Sequence, residues 1–244
     1  MTTTHTQGSE LLGHFWIRRL HSLSGVIPLG MFLIMHLSTN ASVLIGGFDQ
    51  NVKIIHLLDE YNLLIPAEIF GIFLPLAFHI GYGLYIAQTA RMNHGTYGYR
   101  ENRRYSMQRI TAWIATLFIV YHIWHMHWLG KPLGGGQFDP EHATTSTMAT
   151  MQSHWISGVI YAVGVASTVY HFANGLWTFL ITWGLTVGER AQRGASMACA
   201  GLGVVLLALG LGAVAGFSLG QPPEDGGADG HAAAAQVAPV ESDS

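Results

Sequence analysis

Apolar and polar positions alternate in long blocks along this chain. Five apolar stretches cover roughly residues 22–46, 66–90, 108–130, 154–185 and 196–219. A helix crossing a hydrocarbon core needs about 20 mostly apolar residues, so each stretch predicts a transmembrane helix. The last of them, AGLGVVLLALGLGAVAGFSLG, has no charge and no polar face, which a helix on the surface of a soluble protein would need. The fold class predicted is all-α integral membrane, with five spanning helices in a domain covering 14–220. Residues 1–13 read as a polar N-terminal tail. Residues 221–244 (QPPEDGGADGHAAAAQVAPVESDS) read as a disordered acidic tail with no core to join. Loop 131–153 (KPLGGGQFDPEHATTSTMATMQS) reads as a flexible or partner-contacting connection.

Charge supplies the orientation. Only 10% of residues are charged, against about 25% in soluble domains, so a soluble enzyme surface is excluded. A net charge of −3 with neutral His gives no basic excess for nucleic acid, and a single cysteine, Cys199, excludes an internal disulfide framework. Arg18 and Arg19 precede the first stretch. Arg91, Arg100, Arg103, Arg104 and Arg109 lie between the second and third, and Arg190 and Arg193 between the fourth and fifth. The alternate connections hold only Lys53 and Lys131. Cytoplasmic loops carry the Lys and Arg excess. The chain is therefore expected to be multi-pass in the cytoplasmic membrane, N-terminus cytoplasmic and C-terminus outside. The first stretch is too long for the apolar core of a cleavable signal peptide and follows two arginines.

Histidine is the unusual residue: 14 of them stand against 11 Lys and Arg. Ionisable groups within a bilayer are costly and usually functional. Four stretches each place one His inside the membrane, His36, His79, His122 and His171, and the fifth places none. Neutral imidazole suits iron, and a six-coordinate haem takes two axial ligands, so four helices can enclose two haems. At about 1.5 Å per residue, His36 lies roughly 15 Å and His122 roughly 12 Å below the outer ends of their stretches. His79 lies roughly 20 Å and His171 roughly 26 Å below. Two levels follow: His36 with His122 outside, His79 with His171 inside. His125, three residues after His122, is the competing ligand. Glycines in the His-bearing stretches (Gly30, Gly71, Gly81, Gly83, Gly158, Gly164, Gly175) would let a flat macrocycle or a neighbouring helix come close. Haem propionates want cationic or hydroxyl partners; Arg18, Arg19, His21 and Ser22 stand where the inner haem would present them.

Four segments carry a family resemblance: RRLHSLSGVIPLGMFLIMH (18–36), EIFGIFLPLAFH (68–79), IVYHIWH (119–125) and STVYHFANGLWTFLITWG (167–184). They resemble the cytochrome b membrane subunit of succinate:quinone oxidoreductase, in the single-chain, five-helix, dihaem form of menaquinone-using bacteria. The resemblance spans about 14–215. It implies bis-His ligation of two b haems by His36, His79, His122 and His171, paired first with third and second with fourth. It implies flavoprotein and iron–sulfur partners on the cytoplasmic face, and quinone, menaquinone by preference, near the outer haem. Quinone reduction consumes protons, and Glu68 is the best-placed candidate acid, ahead of Asp59 and Glu60. Some dihaem fumarate reductases resemble this chain but carry a Glu two residues before the fourth ligand. Here Val169 stands there, which leans toward succinate oxidation. The alternatives are a fumarate reductase, a dihaem b anchor of another respiratory dehydrogenase, and a haem-free anchor whose His relay protons. The last would want membrane-embedded carboxylates beside the His, and the stretches hold almost none.

Overall fold

A computed structural model describes residues 3–89 and 100–222. Arg91, His94, His231 and the acidic tail from 223 onward lie outside them. The described residues form nine α-helices joined by short 3₁₀ and π segments: α1 (Thr3–Val26), α2 (Pro28–Ala41), α3 (Phe48–Glu60), α4 (Leu64–Glu68), α5 (Leu74–Thr89), α6 (Arg100–Met126), α7 (Ala143–Gln152), α8 (Trp155–Thr182) and α9 (Glu189–Leu219). Four stretches are long and apolar enough to cross a membrane: Phe15–Ile45, Leu64–Thr89, Trp155–Thr182 and Glu189–Leu219. Helix α6 has 27 residues, but its first ten include Arg100, Glu101, Arg103, Arg104 and Arg109, and its apolar run starts only at Ile110. Helix α1 begins at Thr3 and so runs into the stretch read as a polar tail.

Proline and glycine shape the spans locally. Pro28 has no N–H to give to the carbonyl of Ser24, so the first span divides into α1 and α2 there. In the second span Pro75 is preceded by a π turn, Ile69–Phe73, with the Leu74 N–H reaching back to the Ile69 carbonyl. Helix α8 stops because Gly184 adopts φ +72°, and the Leu185 N–H then closes on the Leu180 carbonyl at 2.9 Å.

Helices α1, α5, α6 and α8 contact one another in a ring, α1 with α5, α5 with α6, α6 with α8 and α8 with α1, and α2, which carries His36, joins it through α1 and α5. Helix α9 packs on the outside of this ring, against α8 and α2. There Leu206 is 2% exposed, among Leu37, Val165 and Val169. Hydrogen bonds tie matching ends together. Arg19 Nη2 donates to the Thr182 carbonyl at 3.1 Å, joining the start of the Phe15–Ile45 span to the end of Trp155–Thr182. At the opposite end, Gln152 donates to the carbonyls of Phe217 and Gly220.

The connection 131–153 differs from the open loop the sequence suggested. It folds into α7, with Ala143 fully buried and Met148 and Met151 packed on Phe48, Val52, Tyr161 and Phe217. Asp49 on α3 takes the Thr144 N–H at 2.9 Å and its hydroxyl at 2.7 Å, serving as a remote N-terminal cap for α7. The Thr, Ser and Met run gave no apolar stripe to read, because its buried side follows from neighbours almost a hundred residues away.

Candidate functional site

Two pairs of histidines face each other inside the ring of helices. His79 on α5 and His171 on α8 hold their ring centres 6.2 Å apart, nearly perpendicular. His79 Nδ1 lies 3.0 Å from the His21 carbonyl and 3.3 Å from Ser24 Oγ. A carbonyl oxygen only accepts, so Nδ1 carries the proton and Nε2 keeps its lone pair. His171 is held the same way, its Nδ1 donating to the Gln108 carbonyl at 3.2 Å. Gln108 returns a bond to the His171 carbonyl at 3.0 Å and accepts from Asn174 at 2.8 Å. Arg104 completes the chain, donating to Asn174 Oδ1 at 2.9 Å and to Ser196 Oγ at 3.0 Å while stacked over Trp177.

The second pair is His36 on α2 and His122 on α6, with ring centres 5.7 Å apart. Tyr161 on α8 sets the orientation of His122: its hydroxyl lies 3.2 Å from His122 Nδ1 and 3.2 Å from His125 Nδ1. The hydroxyl can accept from His122 Nδ1–H, the tautomer that leaves the lone pair on His122 Nε2. Phe32 stacks on His36 and Tyr121 on His125. His122, not His125, faces His36.

Two imidazoles on opposite sides of one metal, each bonded at about 2.0 Å, place their ring centres roughly 6 Å apart. Both pairs fit. The Nδ1-to-carbonyl or hydroxyl bonds are the outer contacts that metal-bound histidines need to fix their tautomer. Among the described residues no three His, Cys, Asp or Glu side chains converge on one point, so the arrangement is paired rather than a cage. Gly25 leaves room for the His79–His171 pair, since a Cβ there would sit 2.4 Å from His79 Cε1. Gly30 and Gly164 instead receive the rings of Phe172 and Phe118, while Gly71 and Gly81 face open space.

The other candidates fall at the two ends. Arg19, His21 and Ser22 gather near His79. Arg19 stacks on Phe15 and Trp183, and Ser22 accepts from Trp183 Nε1 at 3.1 Å. His21 stacks on His79 with ring centres 4.1 Å apart, and its Nδ1 is buried with no hydrogen-bond partner among the described residues. Arg18 is exposed. Glu68 ends α4 and meets His127 Nε2 at 3.2 Å. His56 reaches the Pro140 carbonyl at 3.4 Å, and His142 pairs with Asp139 at the surface. Asp139 is held below the usual carboxylate range by the Glu141 N–H and by His142. Sequence reading missed Ser24, Gln108, Tyr161 and Asn174. Tyr161 and Asn174 were visible as polar groups in an apolar stretch, but only the fold supplies their partners.

The chain is 40% identical over 203 residues to the succinate dehydrogenase cytochrome b558 subunit of Bacillus subtilis (strain 168), covering 83% of this chain and 96% of that protein. The chain belongs to the succinate dehydrogenase cytochrome b family. No family model matches it. It is a membrane-anchor cytochrome b subunit of succinate:quinone oxidoreductase, a part of the complex that does not itself handle succinate.

Proposed function

We propose that this subunit holds two b haems, one between His36 and His122 and one between His79 and His171, and passes electrons through them to quinone. The observation that carries this is the state of the imidazoles. His79 and His171 are tied at Nδ1 by backbone carbonyls, which leaves their Nε2 lone pairs for iron, and His122 Nδ1 lies against the Tyr161 hydroxyl, which can accept its proton in the same way. Haem bound in this way supplies one-electron transfer at a potential tuned by its ligands and surroundings. The protein's part is to fix the ligands, exclude water and position the two pairs at different depths.

With the apolar run of α6 as a further span, the arginines of the described residues fall at one end of the bundle and Lys53 and Lys131 at the other. By the charge rule the arginine end is cytoplasmic. Flavoprotein and iron–sulfur partners dock there, and electrons enter at the His79–His171 pair. Arg19, His21 and Ser22 stand at that end to meet haem propionates. Arg104 is engaged within the bundle, so docking falls to exposed arginines such as Arg18, Arg190 and Arg193. Quinone, menaquinone by preference, is reduced near the outer pair with Glu68 as the proton-carrying acid.

The test is reduction of the purified complex by succinate. Two b haems per chain, at least one of them reduced by succinate, support the reading. Haems reduced by a quinol but not by succinate would move the chain to another respiratory complex.

A further inference from the structure

Glu68 does not stand alone at its end of the bundle. His127, the residue after α6, directs Nε2 at Glu68 Oε1 over 3.2 Å, while its Nδ1 accepts the Leu129 N–H at 3.3 Å. A nitrogen that accepts a backbone N–H cannot carry a proton, so the neutral ring must bear its proton on Nε2. The short 3₁₀ segment Trp128–Leu133, which His127 caps, thus sets the tautomer that donates to Glu68. Phe73 holds the imidazole edge-on with ring centres 5.2 Å apart. The π turn Ile69–Phe73 begins immediately after Glu68, and such turns concentrate at functional sites. Both side chains are mostly buried, 23% exposed for His127 and 17% for Glu68.

We infer that His127 is a positioning residue for quinone reduction: its Nε2–H holds Oε1 of Glu68, leaving Oε2 as the oxygen that delivers the proton. This rests on Glu68 being the quinone-site acid. Quinone takes two electrons, supplied from succinate through the partner subunits, and two protons, one on each carbonyl oxygen. Glu68 gives one of these from Oε2 and is reprotonated from the aqueous side. Titratable groups nearby include Asp49, Lys53, His56, Asp59 and Glu60 on α3, Lys131 after His127, and His125 on α6. Among the described residues, the side-chain hydrogen bond to Glu68 comes from His127.

The experiment uses the intact complex and two assays: succinate to a short-chain naphthoquinone, and succinate to a soluble dye that bypasses this subunit. H127F should lower the quinone rate about tenfold, through kcat rather than the quinone KM. Dye reduction and haem content should stay at wild-type levels. H127Q, whose amide can still donate to Glu68, should recover most of the rate. On an E68Q background, H127F should add no further loss. A wild-type quinone rate in H127F overturns the inference, as does H127Q remaining as slow as H127F with haem intact. Loss of haem in both variants would mark His127 as structural and also overturn it. If E68Q itself reduces quinone normally, the reading of Glu68 fails first, and the two failures are thereby told apart.

Discussion

Tyr161→Phe is the sharpest probe of how the outer histidine pair is held. The ring is 7% exposed and packs edge-on against Phe118 at 5.3 Å and Tyr121 at 6.0 Å between centres, contacts that phenylalanine keeps. What is lost is one hydroxyl bonded at 3.2 Å to both His122 and His125. In the tautomer that leaves Nε2 for iron, the His122 Nδ1–H is then buried without this acceptor, which costs about 1–3 kcal/mol. Loss of such an outer partner weakens metal binding about 10–100-fold, or roughly 1.4–2.7 kcal/mol at about 1.36 kcal/mol per tenfold. The two figures agree. Competition of the purified complex with a haem-scavenging apoprotein, followed by difference spectra, should show the outer haem released at least tenfold more readily. The inner haem should be unaffected. Equal retention of both haems in the variant would refute the view that Tyr161 orients His122, leaving it a packing residue.

Further outcomes follow from the same geometry. Gly25→Ala puts a methyl where His79 already lies, an overpacking cost of about 1–3 kcal/mol, so haem content should fall from two toward one per chain in pyridine haemochrome assays. His125→Phe should keep both haems, because His122 and not His125 faces His36; loss of a haem would exchange their roles. Asp49→Ala removes the cap on α7 and should lower the stability of the outer cap by about 1 kcal/mol. That change is read as a lower Tm, with haem content unchanged.

The sequence carried a good deal of this arrangement, for identifiable reasons. A charge-free apolar run such as 200–220 has few folded alternatives. The breaks at Pro28 and before Pro75 were not read from the sequence, which gave the first two spans as continuous. His36, His79, His122 and His171 were conspicuous because imidazole is rare in lipid. Their pairing followed from depth, since a span is a ruler of fixed rise. What sequence could not give is the surroundings of each ring. The His21 carbonyl reaches His79 across 58 positions and the Gln108 carbonyl reaches His171 across 63. Backbone carbonyls are the same in every residue and leave no mark in composition. The segment 131–153 was misread for a related reason. Its buried face mixes alanine and methionine with three threonines, so no apolar stripe of helical period stands out until α3 and α9 are set against it.

The most direct measurement is the haem b to polypeptide ratio of the purified complex, for the wild-type chain and for His36, His79, His122 and His171 each changed to Ala. Two haems are expected in the wild type, with loss of at least one in every variant. The outer signal should go first for His36 and His122, the inner for His79 and His171. A wild-type ratio of one or zero, or a variant that keeps both haems, would overturn the paired-histidine assignment.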